Sequence, residues 1–204
     1  LITAGPTREA IDPVRFISNR SSGRMGYALA ENARNMGASV ILVSGPVALA
    51  DIPEVKAVKI ETANEMKNAV VRNCTKADYI FMAAAVADYI PIDSLDKKKK
   101  RTNKNLMLSL KSTPDILKSL NGKTKAIITA FALETQSGEN EAKRKMKEKN
   151  ADFIVLNYAN EKGAGFESST NRVKIFSKRG HNIELKKDRK DRVAKKIIQY
   201  VLNN

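Results

Sequence analysis

Cysteine and histidine each occur once in these 204 residues, tryptophan is absent, and aromatic residues make up only 5%. One thiol, Cys74, excludes an internal disulfide and suits a reducing, cytoplasmic setting. It lies in a helical pattern with Val70 and Val71 and reads as a buried structural thiol rather than a nucleophile. The one histidine, His181, falls in a turn beside Arg179-Gly180, so neither a Ser-His-Asp arrangement nor a histidine-based metal site is available. Scarce aromatics argue against a base-stacking surface for nucleic acid. No apolar run approaches the roughly 18 residues that a membrane span requires. There is no initiator Met and no signal peptide: the chain opens at Leu1, inside what reads as a strand, and is expected to be a piece of a longer protein.

Positive charge is abundant. Lys and Arg number 37 against 22 Asp and Glu, a net charge of +15, which implies anionic partners, either nucleic acid or phosphorylated small molecules. The excess concentrates in 97–101, 143–149 and 186–196, part of it simply solvated surface. At 42% hydrophobic and 29% charged, the composition is that of a folded globular chain, and one domain over 1–204 is the default expectation.

Strand and helix patterns alternate. A short buried strand over 1–4 is broken by Gly5-Pro6, and a long loop leads to Ser21-Ser22-Gly23-Arg24-Met25-Gly26 and a helix from Tyr27 to Arg34. Ser21 or Ser22 can cap that helix, and Gly23 and Gly26 allow backbone close to a ligand, so the turn reads either as a phosphate cradle or as a plain helix entry. Its G-x-x-G spacing is not the dinucleotide fingerprint G-x-G-x-x-G. Gly37 closes the helix; strands follow over 39–44 and 55–60, and Thr62-Ala63-Asn64-Glu65 is a capping box for the next helix. A strongly apolar strand is expected over 78–86, then an irregular, mobile loop over 90–105 carrying five consecutive basic residues. Thr113-Pro114-Asp115 reads as a helix start. Beyond it come a strand over 126–133, a helix over 139–149, a strand over 152–156, and a loop over 157–171 with Gly163 and Gly165. A hairpin (172–177 and 182–187) and a basic amphipathic helix end the chain.

This order predicts a three-layer, Rossmann-like, doubly wound α/β fold whose sheet is mainly parallel with a C-terminal antiparallel hairpin. Ligands in such folds bind beyond the carboxyl ends of the strands, which directs attention to 5–22, Gly45-Pro46, 88–105 and 134–139. Asp88 there is either a nucleotide or metal contact or a loop cap. Lys97–Lys100 is either phosphate-binding or a solvated loop. Lys145 and Lys149 share a helical face, which is exposed surface unless a ligand lies on it. Phe131 is core by default, Asn19 a turn former and Arg15 a surface charge.

The stretch ITAGPTREAIDPVRFISNRSSGRMG closely resembles the opening of the phosphopantothenate–cysteine ligase domain of coenzyme A biosynthesis. Similarity continues through Val43-Ser44-Gly45-Pro46, Ala83-Ala84-Ala85-Val86-Ala87-Asp88-Tyr89, Thr113-Pro114-Asp115-Ile116-Leu117, Phe131-Ala132-Leu133-Glu134-Thr135 and Lys145 to Asn150, over essentially the whole chain. In bacteria that domain is usually the C-terminal half of a bifunctional protein whose other half is a flavin-dependent decarboxylase, so FMN is implied only for that other half. The resemblance implies a CTP-using enzyme, with Mg²⁺ on the triphosphate. It joins 4'-phosphopantothenate to L-cysteine through an acyl-cytidylate, as a homodimer in the cytoplasm, with neither nucleic acid nor membrane as partner. It implies nucleotide contacts at Met82, Ala83, Ala84, Asp88, Lys97, Pro114, Asp115, Ile116, Leu117, Phe131, Lys145 and Lys149, and acid-substrate contacts at Arg15, Asn19, Ser21, Ser22 and Gly23. Asn19 and Lys97 would carry the chemistry, Asn19 as a neutral donor at the acyl group and Lys97 as a mobile-loop lysine at the phosphates. The family's run of acidic residue, Lys, apolar, Lys, Lys is here Asp96-Lys97-Lys98-Lys99-Lys100, departing at Lys98. The resemblance assigns no metal ligands.

Overall fold

The structure is a computed structural model describing residues 1–101, 105–134, 138–158 and 168–204. Gly163 and Gly165, and part of each of the loops 90–105, 134–139 and 157–171, lie outside the described residues. In chain order the elements are β1 (Ile2–Ala4), β2 (Arg8–Ala10), β3 (Phe16–Ser18), α1 (Arg24–Asn35), β4 (Ile41–Ser44), β5 (Lys56–Lys59), α2 (Ala63–Asn73), β6 (Tyr79–Met82), β7 (Tyr89–Pro91), β8 (Leu110–Ser112), β9 (Ile127–Glu134), α3 (Gly138–Glu148), β10 (Phe153–Tyr158), β11 (Thr170–Ser177), β12 (Asn182–Arg189) and α4 (Lys190–Leu202). No described helix is long and apolar enough to cross a membrane.

The main sheet runs β12-β11-β10-β9-β6-β1-β4-β5. Six strands, β10, β9, β6, β1, β4 and β5, are parallel, and β11 and β12 close one edge antiparallel. Alternation along the strands explains the layers. Phe81 points to the side covered by α1 and α4, while its neighbours Ile80 and Met82 point to the side of α2 and α3. Both faces are thereby covered, as a parallel sheet requires. The C-terminal helix seats Val193, Ala194, Ile197, Ile198 and Val201 against α1 and the strands, all buried. Cys74 is fully buried in the other layer, and His181 is exposed in the β11–β12 turn.

The capping box forms: Thr62 Oγ1 accepts from Glu65 N at 3.2 Å, and Glu65 Oε2 accepts from Thr62 N at 3.1 Å. Gly37, at φ +87°, ends α1 in a Schellman pattern, its N donating to Arg34 O and Ala38 N donating to Ala33 O.

Several expectations change. The loop 5–22 contains an antiparallel ribbon, β2 with β3, anchored by buried Glu9, whose Oε1 accepts the Ala63 amide at the start of α2 (2.9 Å). α1 is capped by neither Ser21 nor Ser22. Its N-cap is Gly23 in the left-handed conformation (φ +75°), which glycine adopts without strain. The apolar strand ends at Met82, so Asp88 lies six residues beyond it. Thr113-Pro114-Asp115 opens only turns and a short 3-10 helix, Lys118–Leu120. The Thr113 hydroxyl is spent on Ala87 O (2.7 Å), and Gly122 at φ +72° turns the chain before a second helical turn can close. The weakly alternating stretch 106–110 is a strand only from Leu110, in a ribbon with β7.

The close approach of α1 to β1 leaves no room at Gly26. A Cβ there would stand 2.5 Å from Ala4 Cβ and 2.8 Å from Thr3 O. Gly26→Ala is therefore expected to destabilise the fold by about 1–3 kcal/mol, the usual range for overpacking, as read by urea unfolding; unchanged stability would mean that the helix shifts away from the strand at no cost.

Candidate functional site

β1 has β4 on one side and β6 on the other, so the sheet reverses its winding direction between β1 and β6, where doubly wound folds open a crevice. The segment leaving β6 lines it. Ala84 N donates to Thr3 Oγ1 (3.1 Å), Ala85 N to Gly5 O (2.9 Å) and Ala87 N to Thr7 Oγ1 (3.0 Å), which fastens residues 84–87 along the chain leaving β1. On the other side Thr113 N donates to Asp88 O (2.9 Å).

A cleft of about 720 Å³ opens over these strand ends. It brings together Asn19, Ser21, Ser22 and Gly23 from the entry to α1, Met82, Ala83, Ala84 and Asp88 after β6, Pro114, Asp115, Ile116 and Leu117, Phe131 of β9, and Lys145 and Lys149 of the α3 region. These are fifteen of the seventeen residues singled out by sequence. Arg15 and Lys97 are not in its lining. Arg15 belongs to a contact beside it, where the β2–β3 turn meets the basic loop that carries Lys97. Buried Asp12 receives Arg15 Nε (3.0 Å) and the Lys99 amide (3.2 Å), and Arg15 also donates to Lys99 O (2.7 Å).

Asn19 Nδ2 donates to the carbonyls of Ala85 (3.1 Å) and Val86 (3.0 Å), tying the α1 entry to the far side of the crevice. The donor assigned to the acyl group is thus engaged with backbone, and its amide oxygen is what this side chain has left to offer a ligand. Gly23 N donates to Ser21 Oγ (3.3 Å), while the first amides of α1 have no partners within the helix and face the cleft with the positive end of its dipole. Lys145 pairs with Glu134 at 2.6 Å, and Lys149 lies 3.8 Å from Asp115, so both lysines carry carboxylate partners that a phosphate would have to displace.

Sequence reasoning passed over other lining residues, among them Arg24, Thr113, Asn157, Asn171 and Lys190. Buried Asn171 donates to Asn157 Oδ1 at 3.1 Å. Lys190 begins α4, is only 7% exposed, and is lowered by desolvation and the nearby Arg24 charge to a pKa of about 8. Its position in a basic stretch read as solvated surface concealed it. Among the described residues no group of three or more His, Cys, Asp or Glu is placed to hold a metal ion.

The family model described as DNA/pantothenate metabolism flavoprotein C-terminal domain matches residues 1–204. The coenzyme A biosynthesis bifunctional protein CoaBC of Bacillus subtilis (strain 168) is 48% identical over 204 residues, covering 98% of this chain and 50% of that protein. The chain therefore spans about half the length of the curated relative it matches. A crystal structure of the C-terminal domain of CoaBC superposes with a TM-score of 0.82 at 43% identity, covering 98% of this chain and 91% of that one. A mutant of Cab2, solved in complex with phosphopantothenate-cysteine, shares the fold with a TM-score of 0.76 at 17% identity, covering 99% of this chain and 84% of that one.

The Asp12 carboxylate is held far below the ordinary range, chiefly by its hydrogen bond from Arg15. A depressed carboxylate keeps its contacts above its unfolded pKa and loses them only as pH falls through the folded value, so the clamp on the basic loop stays closed through mildly acid conditions. Asp12→Asn is expected to release that loop and speed tryptic cleavage at 97–101 by about tenfold, the effect of losing a charge-assisted hydrogen bond. Cleavage at the wild-type rate would show that the clamp does not restrain the loop.

Proposed function

Because this chain belongs to the DNA/pantothenate metabolism flavoprotein C-terminal domain family, we propose that it is the ligase part of a longer bifunctional protein, joining 4'-phosphopantothenate to L-cysteine with CTP. The observation that carries this is the cleft at the sheet reversal, where a glycine-led helix entry, backbone from two strand ends and basic side chains converge. The acid's carboxylate attacks the α-phosphorus of CTP, expelling pyrophosphate and forming an acyl-cytidylate. The cysteine amine then attacks the acyl carbon, CMP leaves with the bond pair, and the amine proton passes to solvent. Neither step needs a protein nucleophile. Both need two anions held together, which positioning and positive charge supply.

The α3 side, with Lys145, Lys149, Phe131 and Pro114–Leu117, suits the nucleotide, and the α1 entry suits the acid. Asn19 bridges them through the Ala85 and Val86 carbonyls. Its amide oxygen, an acceptor that takes no proton, fits the ammonium or amine of cysteine better than the acyl oxygen. Lys97 would reach the phosphates only by movement of its loop. Mg²⁺ fits the donor set as an ion carried by the triphosphate, since Asp88 and Asp115 are the carboxylates lining the cleft and Mg²⁺ is commonly held by one or two carboxylates plus phosphates. Asp88 would hold it, and bound there it would neutralise phosphate charge. FMN would belong to a decarboxylase half, not to these residues, and the enzyme would act in the cytoplasm.

A homodimer is supported by the ribbon of β7 and β8 and its flanks. Tyr89, Ile92, Leu106, Met107, Leu108 and Leu110 are exposed there, Met107 to 90%. A contiguous apolar surface of this kind marks an interface. Met107→Asp is expected to convert a dimer into monomer by sedimentation equilibrium; a monomeric wild type, or a dimeric variant of undiminished affinity, would remove this ribbon as the interface.

Pyrophosphate release from CTP, dependent on both phosphopantothenate and cysteine, tests the activity itself, and release from ATP instead would refute the nucleotide assignment. Asn19→Asp is expected to lower turnover by about 10²-fold, since a carboxylate would face two backbone carbonyls and the anionic intermediate. Quenched-flow measurement of acyl-cytidylate beside a CTP titration locates the loss. A variant with weakened CTP binding and normal saturated turnover would put Asn19 in the nucleotide site.

A further inference from the structure

An asparagine side chain can show a ligand either a donor or an acceptor, and what holds its other half decides which. At the carboxyl end of β10 that choice is made by a relay of three groups. Arg172 N donates to Asn171 Oδ1 at 3.1 Å. A backbone amide only donates, so the Asn171 atom that meets it is the oxygen, and the Asn171 nitrogen points the other way. That nitrogen donates to Asn157 at 3.1 Å, which makes the receiving atom Oδ1 and leaves the Asn157 NH₂ group unheld by its neighbour. Among the described residues no protein acceptor takes that NH₂ group. Asn171 is buried, Asn157 is half-buried, and both line the cleft. The backbone brings the two together. Asn157 lies two residues beyond Val155, which packs with α1 and α4, so it shares that face of the sheet. The register of β11 against β12 shifts between Asn171 and Val173, a bulge of the kind that re-aims a side chain beside a binding site.

We propose that Asn171 is a positioning residue: by holding Asn157 Oδ1 it keeps the Asn157 NH₂ group turned to the cleft, as a neutral donor to a phosphate oxygen of the ligand. A carboxamide free to turn would also present its oxygen, which repels that anion. Locking the donor outward removes this cost before the ligand arrives. Asn171 acts through Asn157, since its own oxygen is taken by Arg172 N and its nitrogen by Asn157. The role rests on the ligase reading for the source of the phosphate, which either the nucleoside triphosphate or the phosphorylated acid could supply.

The test is a double-mutant cycle read in affinity. The wild type, Asn171→Ala, Asn157→Ala and the double variant are titrated calorimetrically with CTP, 4'-phosphopantothenate and inorganic pyrophosphate, with thermal unfolding recorded for each. Asn171→Ala is expected to weaken binding about three- to tenfold, the range of a neutral hydrogen bond. In the Asn157→Ala background the same change is expected to cost no further affinity. A residue that only supports its strand would lower the unfolding temperature in both backgrounds and leave affinity alone. Additive losses of affinity, or wild-type affinity in a folded Asn171→Ala, would overturn the proposal. If Asn171→Ala fails to fold, NMR of the isotope-labelled wild type decides. The side-chain amide proton protected from exchange in the free chain is expected to belong to Asn171, and the Asn157 NH₂ group to become protected only when an anion is added. Protection of the Asn157 protons in the free chain, or their indifference to all three anions, would equally overturn it. Comparing the titrations separates the sources: a loss confined to CTP assigns the nucleotide's phosphates, and one confined to 4'-phosphopantothenate assigns the acid's. Pyrophosphate bound through Asn157 in a chain that releases none from CTP would sink the ligase reading and leave the positioning role standing.

Discussion

The ligand edge of this molecule depends on how closely α1 can lie on β1. Gly26 lets the helix backbone settle against Ala4 and the Thr3 carbonyl, where a single added carbon would clash with both. That contact brings the first turn of α1 over the carboxyl end of β1, and Gly23, in a left-handed conformation beside Val47, turns the chain into it. Residues 84–87 are then fastened along residues 3–7 by the hydroxyls of Thr3 and Thr7 and the Gly5 carbonyl, and Asn19 closes the loop by reaching across to Ala85 and Val86. One steric condition is propagated by short polar contacts into a rigid mouth between β1 and β6. A wider helix–strand spacing would leave Asn19 too far from these carbonyls to hold them.

Positive charge is abundant in this chain but unevenly available. In α3, Arg144 is occupied by Glu141 and Glu148, and Lys145 by Glu134; on the sheet, Lys174 is met by Glu139 and Glu184. Exposed pairs of this kind contribute little to stability, but they decide which cations a ligand meets already compensated. A phosphate arriving at Lys145 competes with a carboxylate. Net charge steers an anion toward the molecule, and these pairings decide which cations must first release a carboxylate before they can meet it.

The fold was legible because its signals are local and redundant. Apolar runs of strand length alternate with amphipathic helices, Thr62 and Glu65 form the box their spacing predicts, and Gly37 turns the chain where a helix must stop. Where reading failed, a long-range contact overrode a local preference. Thr113 looked like a helix cap but its hydroxyl belongs to Ala87, twenty-six residues away, and the loop before α1 hid a ribbon whose buried Glu9 answers to Ala63. Most of the residues singled out by sequence gather in one cleft because they sit at strand ends, which topology alone brings together. Arg15 and Lys97 do not, since Asp12 and its partners draw that segment against the β2–β3 turn instead.

Lys190 illustrates the limit of reading charge by composition. Within the run from Lys186 to Lys196 it is one basic residue among several, and no spacing separates it from its solvated neighbours. Burial does, and burial follows from where α4 starts: directly after an edge strand, with its first backbone amide tied to Ser169 and its apolar face pressed on α1. The antiparallel hairpin therefore does more than cap the sheet. By returning the chain to the ligand edge before α4 begins, it delivers the first side chain of that helix to the side of the cleft opposite α3.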